Sequence, residues 1–523
     1  MAFNSYLYLV VFLPFCVLFY YACPKKARWL ILLGFSIAYY YLCSRKTTLL
    51  LLITALWVFL TAWILGKIHA CGKKRLALAA AGEKRAIKAR ALHQKRLILA
   101  LALFVLFGLL IVLKYYGFFS ANVGRLIPGL LPPLKLAIPL GISFYTLQAA
   151  GYLIDVYRGK YEPCKNPLHL VLFLSFFPQI VEGPIGRYDR LAPQLLAGHA
   201  FDSDHIIAGL RHIAWGLFLK MVIADRAAMA VNTVFDNYTG YSGITVIFAV
   251  LLYTLQLYGE FMGCMEIACG SACLMGIRLD TNFRQPFGAQ SINEFWQRWH
   301  ITLGSWIRDY IFYPISMSAP MKKLGKRLPA RLPAHYKKSI PVYTALFFVW
   351  LFNGLWHGSS WHYIFYGLYY YGCMTLGMLL EPLFARMRPE PGSTRAPGIR
   401  AFRILRTFLL VNVGMLIFRA NGLRAAAHMF LSIFTGFKLS LASAGELLTL
   451  GCDWQDLMVL GAGVLILTIL GYLRERGFTV CGLLACCPRP LCWAIYYGLF
   501  FAVLIFGAYG KGYSPVDFIY AQF

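Results

Sequence analysis

The sequence predicts an all-α protein that crosses a membrane many times. Of its 523 residues, 59% are hydrophobic and only 14% are charged, whereas a soluble domain has about half and about a quarter. Several apolar runs approach the roughly 20 residues that a helix needs to cross a hydrocarbon core about 30 Å thick. These runs are continuous rather than alternating, which argues against a β-barrel. We therefore expect a single transmembrane domain over residues 1–523.

Apolar runs of two lengths divide the chain. The long runs are predicted to span the membrane. The short runs 168–181 and 301–316 contain Pro178 and Pro314, so they are predicted to be re-entrant helices, which persist at membrane depth when they pack in protein or line a watery cavity. The predicted spans are 4–21, 28–43, 47–66, 97–113, 136–154, 206–224, 244–262, 340–355, 363–380, 404–418, 457–472 and 493–509.

Three basic loops set the predicted topology. Loop 67–96 carries ten Lys or Arg against one acid, loop 316–339 seven against none, and loop 381–406 six against two. By the positive-inside rule all three are expected to be cytoplasmic, which leaves both termini outside the cell membrane. This placement also explains the net charge of +29, so no nucleic-acid partner is expected. The cysteines lack the spacing of a zinc site, and no metal is expected.

His357 is the most informative residue, because it lies within the apolar, aromatic segment VWLFNGLWHGSSW. A charged side chain in a bilayer costs roughly 2.5 kcal/mol or more on insertion scales, so an ionisable residue kept there indicates function. An imidazole titrates near neutral pH and can take and return a proton in one reaction cycle. The sequence therefore predicts that His357 is catalytic.

The spans on either side of His357, 340–355 and 363–380, are expected to form a hairpin. Both are flanked by basic loops, so the turn of this hairpin faces outward and His357 lies deep, toward the outer half of the membrane. Three small residues are expected to keep the turn compact: Gly354, Gly358 and Ser359.

A second polar constellation lies in NEFWQRWHITLGSWIRDYIFYPI, residues 293–315. Here His300 neighbours Arg298 and Trp299, and Arg308 follows. The arginines could clamp phosphates through charge-assisted hydrogen bonds. The same pattern also fits an interfacial amphipathic helix with snorkelling arginines.

Two acids, Glu260 and Glu266, lie in an apolar run rich in small residues. Intramembrane acids need partners, and we expect a charge pair with an arginine rather than direct catalysis. The small residues of this run are expected to permit close helix packing.

Five segments in order resemble the membrane-bound O-acyltransferase (MBOAT) family, specifically its alginate O-acetyltransferase-like branch. The similarity covers nearly the whole chain and is most specific in the combination of its RWH and LWHG motifs. The closing FIYAQF also looks like the end of that branch. The segments are IPLGISFYTLQAAGYLIDVYRGKY (138–161), SFFPQIVEGPIGRYDRLAPQL (175–195), LFLKMVIADR (217–226), NFRQPFGAQSINEFWQRWHITLGSWIRDYIFYPIS (282–316) and GLWHGSSWHYIFYG (354–367).

The resemblance implies a ring of tilted helices around a central tunnel, with re-entrant helices. It also implies that His357 is the general base and that His300 orients the acyl donor or the acceptor. Three acids depart from the pattern of the branch: Glu182 stands where Gln or a small residue is expected, and Glu260 and Glu266 stand where Asp is expected. These departures leave open which helices the acids pair with, but they do not affect the reaction class. The predicted substrate-binding residues are Arg298, Trp299, Asn353, Trp356 and Arg308.

The function implied is transfer of an acetyl group from cytoplasmic acetyl-CoA, without a bound cofactor, for O-acetylation of a cell-envelope or extracellular polysaccharide. The expected partners are the lipid bilayer, the acyl-CoA donor and an extracytoplasmic O-acetyltransferase protein. One alternative is D-alanyl transfer to teichoic acid. Another is a non-enzymatic transporter, although no internal duplication typical of transporters is visible.

Overall fold

The chain is helical along nearly its whole length. A computed structural model describes residues 1–132, 134, 136–386, 396–435 and 445–509, and no β-strand occurs among them. The all-α, multi-pass membrane fold predicted from the sequence is confirmed, whereas the helix ring and tunnel remain predictions. Eight helical segments are long and apolar enough to cross a membrane: Lys25–Leu78, Lys84–Leu126, Ser203–Asp236, Gly243–Cys273, Ala334–His357, Pro397–Arg419, Trp454–Glu475 and Arg489–Phe506.

The described residues divide into two compact units. The first holds Met1–Ile213 and Ile267–Asp280. Its core is aromatic: Tyr8 stacks on Phe12, and the Tyr8 hydroxyl lies 2.9 Å from the Ser271 hydroxyl. The helices of this unit are Leu7–Phe12 (a π-helix), Leu13–Ala22, Lys25–Ala27 (3₁₀), Arg28–Ser44, Arg45–Thr47 (3₁₀), Thr48–Leu78, Lys84–Leu126, Ile142–Arg158, Pro167–Ser175, Phe177–Ile180, Tyr188–Ala197 and most of Ser203–Leu217.

The second unit holds Ala214–Glu266 and the described residues from Thr281 onward. It contains most of helix Gly243–Cys273 and all of the predicted site residues. Its further helices are Phe218–Ala224 (π), Asp225–Asp236, Ile292–Arg298, Ile301–Ile307, Arg308–Phe312 (π), Tyr313–Ser316, Ala319–Arg327, Ala334–His357, Trp361–Arg386, Ala396–Arg419, Leu423–Thr435, Trp454–Glu475, Val480–Ala485 and Arg489–Phe506.

Three apolar runs differ in detail from their predictions. Run 136–154 becomes helical only at Ile142, because Gly141 takes a left-handed conformation with φ 66°. Run 168–181 is broken as predicted, but the break falls at Phe176, and Pro178 lies in the first turn of the next helix, where proline is tolerated. Run 301–316 is interrupted by a π-helix rather than at Pro314. The re-entrant placement of both short runs remains a prediction.

The basic loop 67–96 is a helical hairpin. Helices Thr48–Leu78 and Lys84–Leu126 both continue into it and leave only a short turn at 79–83, so the segment 73–96 is not one continuous helix. Loop 316–339 likewise contains the short helix Ala319–Arg327. Residues 387–395 of the third basic loop and the C-terminal segment 510–523, which was predicted to lie outside, are beyond the described residues.

The predicted hairpin around His357 is present. Helices Ala334–His357 and Trp361–Arg386 are separated by only three residues. Gly354 lies against the Tyr363 carbonyl oxygen and Gly367 against the Trp350 carbonyl oxygen, with no room for a β-carbon at either position. Gly354 therefore serves the helix crossing rather than the turn, which is a correction to its predicted place. Small residues at such crossings let two backbones come into contact.

We expect Gly367→Ala to lower the melting temperature of the detergent-solubilised protein, because the added methyl group must displace the backbone at Trp350. Overpacking of this kind costs about 1–3 kcal/mol. Gly372→Ala is the matched control, since it lies on the same helix with no heavy atom within 4 Å of the new β-carbon. Equal melting temperatures for the two variants would contradict the close crossing.

Candidate active site

His357 is the last residue of its helix and is buried, with 4% of its surface exposed. The imidazole contacts the aromatic rings of Trp356, Phe418 and Tyr366. Its centroid lies 4.9 Å from that of Trp356, 5.1 Å from Phe418 and 5.7 Å from Tyr366. The last two rings come from the helices Ala396–Arg419 and Trp361–Arg386, so tertiary packing holds the imidazole in an aromatic environment.

His300 stands at a break between two short helices. It precedes helix Ile301–Ile307 and has a left-handed backbone, with φ 49° and ψ 50°. Its ring is perpendicular to Phe261 at 4.8 Å, and its Nδ1 lies 3.3 Å from Oδ1 of Asn282. A non-glycine residue in this conformation costs of order 1–3 kcal/mol and persists only where its surroundings enforce it, often at functional sites.

The two histidines meet the same indole. The Trp356 ring lies 5.6 Å from the His300 ring and 4.9 Å from the His357 ring. All three side chains are buried. The structure thus brings together three of the predicted site residues, from two segments more than 50 positions apart. Two imidazoles in a nearly water-free setting can bind and exchange protons with a substrate hydroxyl or thiol.

Asn353 lies one helical turn before His357, and the i, i+4 spacing puts both side chains on one face of the helix. The side chain is buried, and its Oδ1 has no hydrogen-bond partner among the residues that the structure describes. A buried carbonyl oxygen without a donor costs about 1–3 kcal/mol. Asn353 therefore supplies a buried hydrogen-bond acceptor to which a bound substrate could donate.

Trp299 and Arg298 adjoin His300 in sequence, but their side chains have other neighbours. Trp299 packs between Phe283, at 5.0 Å, and Phe295, at 5.5 Å. Arg298 donates to Glu294 Oε1 at 2.6 Å and also pairs with Glu475. The predicted binding roles of Trp299 and Arg298 remain predictions; in this structure one side chain fills a core and the other joins two acids.

Arg308 is the first residue of the π-helix, and its side chain is 56% exposed. Its Nε lies 3.3 Å from Oδ1 of the neighbouring Asp309. An exposed guanidinium with a single adjacent carboxylate remains accessible to an anion. Among the described residues no group of three or more potential ligands has the arrangement of a metal site.

Sequence reasoning missed a buried charge cluster on the π-helix Phe218–Ala224. Lys220 is fully buried, and its Nζ lies 2.7 Å from Asp225 and 3.3 Å from Glu260. The predicted arginine partner of Glu260 is thus a lysine. A usable signal was present in LFLKMVIADR, because lysine and aspartate five residues apart match one turn of a π-helix. The glycines Gly259 and Gly263 approach the backbones of Leu219 and Gly216, which confirms the expected close helix packing.

Sequence reasoning also missed Asn282, the residue that contacts His300. It opens the segment NFRQPFG, which is separated from the RWH motif by a short loop and most of helix Ile292–Arg298. Its type and place gave no sign of the contact, because the two residues meet only after the chain turns back on itself.

The chain is a helical multi-pass membrane protein that buries two imidazoles against one indole. The sequence pattern of the MBOAT, membrane-bound O-acyltransferase family, matches residues 165–327, which include His300 but end before His357. The chain is 32% identical over 439 residues to the probable alginate O-acetylase of Pseudomonas putida, covering 83% of this chain and 80% of that protein.

Two other relatives are named for different acceptors. The peptidoglycan O-acetyltransferase of Helicobacter pylori is 32% identical over 358 residues, which is 64% of this chain and 63% of that protein. The teichoic acid D-alanyltransferase of Bacillus subtilis is 32% identical over 294 residues, which is 55% of this chain and 70% of that protein. The chain belongs to the membrane-bound O-acyltransferase family. It is therefore an acyltransferase, and the transporter alternative is not retained.

We expect Lys220→Met to destabilise the protein strongly, because it leaves the carboxylates of Asp225 and Glu260 buried without their cation. Breaking one side of a buried ion pair costs about 3–5 kcal/mol. Thermal unfolding in nanodiscs measures the loss. Lys322→Met, at an exposed position in a basic helix, is the control and should melt like the unmodified protein. A Lys220→Met variant as stable as this control would exclude an important role for the cluster.

Proposed function

We propose that this chain transfers an acetyl group from cytoplasmic acetyl-CoA across the cell membrane for O-acetylation of a cell-envelope or extracellular polysaccharide. Its relatives include proteins named for O-acetylation of alginate and of peptidoglycan. The observation that carries the proposal is the contact of both His357 and His300 with the ring of the buried Trp356. The sequence predicts no catalytic residues beyond these two.

The chemical step is attack of a hydroxyl on a thioester. His357 takes the proton as the hydroxyl oxygen bonds to the acyl carbon, the carbon–sulfur bond breaks, and the proton passes to the departing thiolate. A thiolate is a good leaving group, so the protein mainly supplies orientation, a base and stabilisation of the oxyanion. The aromatic rings around His357 support this role by excluding water from the reacting atoms.

The other predicted residues would hold the substrates. Asn353 offers its buried Oδ1 to a donor group of the substrate, and Trp356 and Trp299 provide apolar walls. Arg308 is the better candidate for the phosphates of the donor, because Arg298 is already paired with two acids. His300 orients the acyl donor or the acceptor.

The direction of transfer follows from the basic loops. Because the loops 67–96, 316–339 and 381–406 are expected to be cytoplasmic, the donor enters from that side and both termini lie outside. The immediate acceptor is then a group on the outer face, either the polymer itself or an extracytoplasmic O-acetyltransferase that passes the acetyl group on.

His357→Ala should lower the rate of acyl transfer by roughly the 10²–10⁴-fold typical of a lost general base, and the O-acetyl ester content of the cell envelope should fall with it. The ester is measured by alkaline release of acetate from cells whose variant reaches normal protein levels in the membrane. His428→Ala is the control, since His428 is exposed and contacts Tyr238. Unchanged ester in the His357 variant would end the catalytic assignment.

A second candidate function is D-alanyl transfer to teichoic acid, which the similarity to the Bacillus subtilis protein favours. The two candidate functions differ in the thioester that donates the acyl group. Purified protein in nanodiscs should consume radiolabelled acetyl-CoA and leave a D-alanyl carrier-protein thioester intact. The opposite result would select the second function.

A further inference from the structure

Asn282 makes an unusual set of contacts at the start of helix Ile301–Ile307. Its Oδ1 lies 2.9 Å from the Thr302 amide nitrogen, 2.9 Å from the Thr302 hydroxyl and 3.3 Å from Nδ1 of His300. Its main-chain carbonyl also accepts from the Ile301 amide at 3.0 Å. Asn282 is 3% exposed, so these contacts form away from water.

The Thr302 amide settles which way the Asn282 side chain points. A backbone N–H can only donate, so the atom of Asn282 that it meets must be the oxygen. His300 Nδ1 faces that same oxygen. Two acceptors would repel one another there, so Nδ1 must carry a proton, and in the neutral ring Nε2 then keeps its lone pair.

The same contacts hold the strained backbone of His300. The left-handed residue lies directly before two amides that both donate to Asn282. Phe261 then fixes the plane of the imidazole from a perpendicular contact at 4.8 Å. The orientation of the ring and the position of its proton are thus set by one asparagine and one phenylalanine.

We propose that Asn282 is a positioning residue of the acyl transfer: it holds His300 as the Nδ1–H tautomer, so that Nε2 acts only as an acceptor toward the substrates. This inference rests on the proposed function of the two histidines. It narrows the role of His300, because a neutral ring with a bare Nε2 can receive a hydroxyl or amide hydrogen of a substrate but cannot donate to the thioester oxyanion. Oxyanion stabilisation must come from another group.

The tautomer can be observed in the unmodified active site. Labelling tryptophan at its carbonyl carbon with ¹³C and histidine uniformly with ¹³C and ¹⁵N lets magnetisation pass from a tryptophan carbonyl to the next residue's backbone nitrogen and on to its ring. This selects the histidines that follow tryptophan, which are His300, His357 and His362. Spectra of His357→Gln and His362→Gln remove two of these signals and leave that of His300. Solid-state NMR in nanodiscs should show a protonated Nδ1 and a bare Nε2. A ring protonated at Nε2, alone or together with Nδ1, would overturn the proposal.

Kinetics test the consequence for the reaction. Asn282→Leu removes the acceptor at similar volume and should lower kcat roughly a hundredfold, the scale of a misplaced catalytic group. Asn282→Asp keeps an acceptor oxygen and should recover most of the activity. Adding His300→Ala to Asn282→Leu should lower kcat little further, because the two residues act as a unit.

Asn412→Leu is the matched control, because Asn412 is a buried asparagine that accepts from Thr254 at 2.7 Å in the same unit. It should lose stability but keep kcat. The proposal fails if the reductions in kcat caused by Asn282→Leu and by His300→Ala multiply in the double variant. It also fails if Asn282→Asp has as low a kcat as Asn282→Leu. Either result would mean that the asparagine has only a structural role. A His357→Ala variant that keeps activity would instead refute the proposed function, and the NMR result would stand apart from it.

Discussion

The contact between two helix backbones beside His357 is the constraint on which the site depends. Gly354 and Gly367 let the helices Ala334–His357 and Trp361–Arg386 approach until the backbone of each meets the other. This approach brings Tyr366 against the imidazole at 5.7 Å. Without a strong hydrophobic force between helices in lipid, such close packing is a main source of association. The position of His357 therefore depends on two glycines, which have no side chain to keep the helices apart.

The sequence singled out residues that the structure brings together, but it did not reveal the residues that surround them. His357, Trp356 and His300 lie in local motifs, so their importance could be seen in short segments. The pairing of Arg298 with Glu475, 177 positions away, could not, because periodicity carries no information about contacts between distant helices. The apolar pattern located the membrane helices. It did not reveal that run 136–154 is interrupted at Gly141, whose backbone is left-handed.

The buried charges show a second limit of sequence reasoning. Glu260 required a cation, and arginine was the reasonable expectation in a chain rich in it, but Lys220 supplies the charge from a π-helical turn. A π-helix widens the backbone by one residue per turn and so aligns Lys220 with Asp225, five positions on. Helix propensity alone does not reveal such a turn, although the five-residue spacing of Lys220 and Asp225 is compatible with it.

The left-handed backbone of His300 has an evolutionary consequence. At this position glycine or asparagine would fold more easily than histidine, since both enter that region of conformational space at lower cost. Under the proposed function, selection for turnover keeps the imidazole at this position despite its conformational cost. Homologues that keep the fold but have lost catalytic activity are therefore expected to carry glycine or asparagine in place of this histidine.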